Sequence, residues 1–124
     1  MSNPNPLTRV LVVDDSRDVA ELMQEVLTLE GFEAHCVFTA DMALQRSRDV
    51  EWQAMLIDLN LPDQPGLALA QRARQRLPRV PRLAALSGES RLTLQGVVQP
   101  GGFDAAFQKP VDLPHLLSWL RHTG

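Results

Sequence analysis

Lysine is all but missing from this chain. Of its 12 lysine and arginine residues, every one is arginine except Lys109. Cysteine is as scarce: Cys36 stands alone, which excludes an internal disulfide and a thiolate metal cage and makes a reducing cytoplasm the expected setting. No apolar run approaches the roughly 20 residues that span a bilayer. The polar opening MSNPNPLTR has no apolar core of the kind a secretory signal needs, so no membrane role is expected. There is no repeat, no low-complexity tract, and neither G-x-G-x-x-G nor G-K-[ST], which disfavours a nucleotide binder. A net charge of −3 disfavours direct DNA binding. Arg72, Arg74, Arg76, Arg79 and Arg82 accordingly read as a solvated face.

What is present suits one domain. The 124 residues are 44% apolar and 22% charged, enough for a core. The expected division is a disordered leader over 1–7 and a single domain over 8–124. RVLVVDD is a continuous apolar run ending in acids, as in a strand buried on both faces. Ser16 is a candidate cap for a helix whose apolar face would be Val19, Leu22, Met23, Val26 and Leu27, with Gly31 just past its end. EAHCVF alternates like an edge strand. Thr39 opens a short helix with Met42, Ala43 and Leu44, and AMLID is a second buried strand. After the loop NLPDQPG, residues 66 to 77 form a helix with Leu69, Ala70, Ala73 and Leu77 inward. RLAALSG is a third buried strand. A weak helix follows from Leu92 to Gln99, with Leu94, Val97 and Val98 toward the core and Leu92 opposite, among uncharged Gln95, Gly96 and Gln99. That outer face reads either as a poorly formed helix or as a docking surface. DAAF is a last short strand, and Asp112 caps a helix carrying Leu113, Leu116, Leu117 and Leu120.

Strand and helix therefore alternate five times, which predicts an α/β fold: a parallel sheet with helices on both faces. Ligands bind such sheets outside the carboxyl ends of the strands. Those ends carry Asp14 and Asp15, Asp58, Ser87 and Lys109. Each has an ordinary alternative: a helix cap, a loop acid, a turn hydroxyl, a surface lysine. Their convergence on one edge speaks for a site. Carboxylates about 4 Å apart repel by about 4 kcal/mol at an effective dielectric of 20. One lysine cannot neutralise three of them, whereas Mg²⁺ can. A carboxylate so placed can attack phosphorus and form an aspartyl phosphate.

On VLVVDDS, MLIDLNLPDQPG, ALSG and FQKPVD the chain resembles the receiver domains of two-component response regulators, chemotaxis regulators among them, from about Arg9 to Arg121. The resemblance implies a flavodoxin-like, doubly wound (βα)5 three-layer sandwich with strand order 2-1-3-4-5. It implies Asp58 as phosphoacceptor from a histidine kinase or phosphotransfer protein. It also implies Mg²⁺ (or Mn²⁺) on Asp15, Asp58 and the backbone carbonyl of Asn60, with Asp14 acting through a water. Ser87 would be the switch hydroxyl, Lys109 the ammonium on the phosphoryl group, and the bond from Lys109 to Pro110 cis.

Some positions depart from the pattern. Phe107 stands where many relatives carry a switch tyrosine, Gly88 follows the serine where alanine is common, and Gln64 and Pro65 replace a methionine–aspartate pair. The stretch QPGGFDAAFQKPVD is equally similar to receivers of hybrid sensor kinases. Output is expected through protein binding on the face formed by residues 88–112. Chemistry is expected to be limited to self-phosphorylation and slow self-dephosphorylation. A phosphatase of the haloacid dehalogenase type is the enzyme alternative, but it needs D-x-D, and Ser16 stands two after Asp14.

Overall fold

The computed structural model describes residues 8–88 and 91–122, without the side chains of 91–93. The expected leader and the outward side chain of Leu92 lie outside what is described. The elements are β1 (Arg9–Val13), α1 (Arg17–Leu29), β2 (Glu33–Val37), α2 (Ala40–Arg46), β3 (Ala54–Asp58), α3 (Gly66–Arg76), β4 (Arg82–Ser87), α4 (Arg91–Val97), β5 (Ala105–Gln108) and α5 (Leu113–Arg121). The strands are all parallel, in the order β2-β1-β3-β4-β5. This is the flavodoxin-like arrangement expected. Among the described residues, no helix is long and apolar enough to cross a membrane.

Two apolar layers hold the sheet. Successive residues of a strand face opposite sides. Val10, Val12, Leu56 and Leu86 meet Ala20 and Leu27 of α1 and Leu116, Leu117 and Leu120 of α5. Leu11, Val13, Ile57 and Ala85 turn the other way, toward Ala40 and Ala43 of α2 and Leu69 and Ala70 of α3. Each fully buried aliphatic side chain contributes about 1.5–3 kcal/mol. β3 is central and all five of its residues are buried, whereas edge strand β2 is only partly covered.

The expected face of α1 needs correction. Val19 is 40% and Leu22 62% exposed, because the helix sets the small Ala20 and Leu27 against the sheet. Nor does the Ser16 side chain cap α1. Its backbone N–H instead donates to Asp14 Oδ1 at 2.9 Å. The C-terminus behaves as read: Gly31 has φ +97°, and Phe32 N and Gly31 N donate to Leu27 O and Thr28 O, which answers two open carbonyls. Thr39 and Asp112 cap α2 and α5 as expected. α4 stops at Val97, before Gln99. Val98 pairs with Phe103 in an isolated parallel bridge and is exposed, so of the three expected inward residues only Leu94 is fully buried.

Gly66 opens α3 against the end of β3. A Cβ there would lie 2.8 Å from Leu59 Cα and closer still to the Asp58 carbonyl oxygen. Backbone atoms on both sides cannot yield cheaply. Gly66→Ala should therefore destabilise the domain by about 1–3 kcal/mol, as overpacking does. Denaturant unfolding would check this, and an unchanged midpoint would contradict the close approach.

Candidate functional site

Four strands deliver the expected residues to one edge. Asp14 and Asp15 follow β1 directly, Asp58 ends β3, Ser87 ends β4 and Lys109 follows β5. Backbone hydrogen bonds carry the sheet pattern past the strand ends. Asp14 N donates to Val37 O at 3.1 Å, Leu59 N to Leu86 O at 3.1 Å, and Lys109 N to Ser87 O at 2.8 Å. These main-chain ties fix where each side chain starts, so the cluster does not depend on loose loops.

Lys109 Nζ donates to Asp14 Oδ2 at 2.8 Å and to Asp58 Oδ2 at 3.1 Å. The remaining oxygens are also engaged. Asp14 Oδ1 accepts from Ser16 N, and Asp58 Oδ1 accepts from Asn60 N at 2.9 Å. Asp14 is fully buried, Asp58 is 8% and Ser87 1% exposed, while Asp15 lies open to solvent. The peptide bond between Lys109 and Pro110 is cis, as the resemblance implied.

Burial pushes the Asp58 carboxyl above its ordinary value. The Asn60 N–H and Lys109 pull against that shift without cancelling it, and the Asp14 charge adds to it. Burial also works against the Lys109 charge, but the hydrogen bonds and charges of Asp14 and Asp58 outweigh it and hold the ammonium above its ordinary value. Asp14, Asp15 and Asp58 each bring an oxygen within 4.8 Å of the others. Hard carboxylate donors with no sulfur or imidazole among them fit Mg²⁺. One ammonium among three acids leaves the negative excess a divalent cation would offset.

Phe107 is buried, edge-on to His115 with ring centres 5.1 Å apart and to Trp119 at 5.8 Å. No spacing in the sequence announces that aromatic cluster. Nor does the sequence single out Asp63 within the loop NLPDQPG. Its carboxylate accepts from Ala40 N at 3.0 Å and Asp41 N at 2.9 Å, joining the loop after β3 to the start of α2.

A doubly wound sheet with acids and a lysine on its carboxyl edge defines a class, and comparison with known proteins agrees. The family model described as response regulator receiver domain matches residues 10–121. The chain belongs to the receiver domain family of response regulators. It is 28% identical over 110 residues to the regulatory protein AtoC of Escherichia coli, covering 89% of this chain and 24% of that one. It is 28% identical over 120 residues to the aerobic respiration control sensor protein ArcB of the same organism, covering 95% of this chain and 15% of that one. The chain thus spans a quarter or less of these curated relatives. A CheY-like receiver domain from Methylobacillus flagellatus superposes with a TM-score of 0.85 at 32% identity, covering 96% and 100% of the two chains. A sensor protein from Polaromonas sp. JS666 gives 0.86 at 30% identity, covering 95% and 96%. Receivers are signalling domains rather than classical enzymes, and they work with histidine kinases or phosphotransfer proteins.

The raised Asp58 yields a stability prediction. The native state holds this proton more tightly than the unfolded chain, whose carboxyl lies near 3.8. Stability is therefore lost as pH rises from that value through the native one. Asp58→Asn removes the ionisation. In chelator at neutral pH the variant should melt above the wild type, and the gap should close as pH falls below the ordinary carboxyl range. A variant that melts lower at neutral pH would contradict the burial argument.

Proposed function

We propose that this receiver is a phosphorylation switch in which Asp58 takes a phosphoryl group from the phosphohistidine of a histidine kinase or phosphotransfer protein. The observation that carries the reading is Asp58 itself: a buried carboxylate ending a central strand, held by Lys109 and facing two further acids. An oxygen of Asp58 would attack phosphorus as the P–N bond breaks, the electron pair returning to the imidazole, which then takes a proton from solvent. Lys109 is 3.1 Å from Asp58 Oδ2 and would follow the charge onto the phosphoryl oxygens, and Ser87 would donate to one of them. Asp15, Asp58 and the Asn60 carbonyl, with Asp14 through a water, would hold Mg²⁺ or Mn²⁺, which supplies charge neutralisation for the transfer. Water attack on the aspartyl phosphate would reset the switch slowly.

The output surface of this reading lies within residues 88–112. Between α4, β5 and α5 runs a groove of about 680 Å³ bordered by Leu94, Val98, Phe107, Pro110 and His115. Phosphorylation adds roughly one negative charge and new acceptor oxygens at Asp58. Ser87 drawn toward them would shift the loop after β4 and the packing beside Phe107. A hydrogen bond to a charged group is worth about 1.5–3 kcal/mol, so phosphorylation would shift the ratio of the two states about tenfold to a hundredfold and the switch would be partial. A second reading, in which the receiver serves within a sensor kinase, is favoured by the likeness to ArcB and the Polaromonas sensor protein.

Intact mass after incubation with Mg²⁺ and a small phosphodonor should show one added phosphate in wild type and none in Asp58→Ala. In Lys109→Arg the charge remains but a planar fork replaces the point contact, and uptake should fall about tenfold or more. Phosphate persisting in Asp58→Ala would sink the assignment.

With a beryllofluoride phosphate mimic, amide exchange should change over residues 88–112 and leave α3 alone. Changes confined to α3 would place the output surface elsewhere.

A further inference from the structure

We infer that Asp63 is a positioning residue for the metal site, clamping the loop that carries Asn60 to the amino end of α2. This rests on reading the acid cluster as a Mg²⁺ site. The loop is closed at its base: Gly66 N donates to Leu59 O at 2.8 Å, and Asn60 and Pro65 form an antiparallel bridge. Leu61 is 9% exposed and belongs to the same apolar cluster as Ala40 and Ala43. Asp63 fixes the far end through its two hydrogen bonds, one carboxylate oxygen to each of Ala40 N and Asp41 N.

The clamp spans elements that the sequence separates by more than 20 residues. α2 keeps a cap of its own without Asp63, because Thr39 Oγ1 accepts from Met42 N at 3.1 Å, and Asp63 adds acceptors for the first two N–H groups of the helix. The second attachment therefore bears on the loop. Burial works against the Asp63 charge, but the N–H groups of Asp41 and Ala40 together with nearby loop amides outweigh it and hold its carboxyl below the ordinary value, so the clamp stays charged at neutral pH. Only Leu61 and Pro62 separate Asp63 from Asn60, and Pro62 restricts the path between them. Releasing the tip would leave the Asn60 carbonyl free to sample directions a metal cannot use. A partner that orients a ligand in this way typically changes metal affinity about 10–100-fold. Linkage makes the effect reciprocal: a bound cation would tighten the clamp by the factor that the clamp tightens binding.

The test is Mg²⁺ titration by calorimetry on the full chain. Asp63→Ala should raise Kd about tenfold, and Asp63→Asn, which keeps one acceptor oxygen, should fall between. At saturating Mg²⁺, phosphorylation of Asp63→Ala by a small phosphodonor should stay near the wild-type rate. Asp112→Ala is the control for mere loss of a helix cap, since Asp112 caps α5 with no link to the loop; it should lower thermal stability and leave Kd alone. Amide exchange at Ala40 and Asp41 should slow on adding Mg²⁺ in wild type but not in Asp63→Ala. A wild-type Kd in Asp63→Ala, or an equal loss in Asp112→Ala, overturns the inference while the metal reading stands. If Asp63→Ala does not fold, a wild-type Kd in Asp63→Asn overturns it. Absence of Mg²⁺ binding by the wild type overturns both.

Discussion

The two hydrogen bonds from Lys109 Nζ, to Asp14 and to Asp58, join the edge strand β5 to the two central strands across the carboxyl end of the sheet. Asp14 is wholly buried, and a carboxylate there is tolerable only with its oxygens occupied. One is taken by Ser16 N, the other by Lys109. The same ammonium offsets part of the charge on Asp58. A guanidinium would have to turn a flat, five-donor fork into a space defined by two carboxylates on different strands. The use of lysine at this one position, in a chain otherwise written with arginine, follows from that geometry.

Such a cluster survives because the sheet beneath it is rigid. β3 is buried along its whole length, and main-chain hydrogen bonds continue past the ends of β1, β3 and β5 to fix Asp14, Leu59 and Lys109. Apolar layers on both faces lock the register. The charged groups are concentrated where the strands stop, so the core need not accommodate them. Gly66 extends the logic to the loop: absence of a Cβ lets α3 start directly against the backbone of Asp58 and Leu59. The peptide of Asp58 is thus packed between β4 and the first turn of a helix.

The strands were legible because they are short apolar runs that end in a chemically loaded residue, and the site was legible for the same reason. Asp14, Asp58, Ser87 and Lys109 needed only the strand ends and the parallel order to be brought together. Helix faces were less legible. In α1 the large letters Val19 and Leu22 pointed one way, but Ala20 sits against the sheet because a small side chain allows close approach. In α4 the helix ends two residues early, where Val98 pairs with Phe103 just ahead of Pro100 and Gly101. Asp63 was invisible in principle: its partners are backbone amides, which have no letter in the sequence, and they lie more than 20 positions away.

Phe107 shows how a missing hydroxyl changes what the fold can transmit. A tyrosine at this position could exchange a hydrogen bond at the surface for packing inside. Phe107 has only packing to exchange, and it lies among His115, Trp119 and the apolar layer that includes Leu116. Trp119 is itself pinned: the Arg82 guanidinium lies 4.0 Å from its ring centre, and Arg82 donates to the Trp119 carbonyl at 2.7 Å. Arg82 begins β4 and Ser87 ends it, so one strand touches the aromatic cluster at its base and the acid cluster at its tip. A shift of the loop after Ser87 therefore meets α5 held at one end and open to the groove at the other. The side of Phe107 not held by the α5 aromatics borders the groove, toward α4, and under the proposed switch that is where a change at Asp58 would reach the surface.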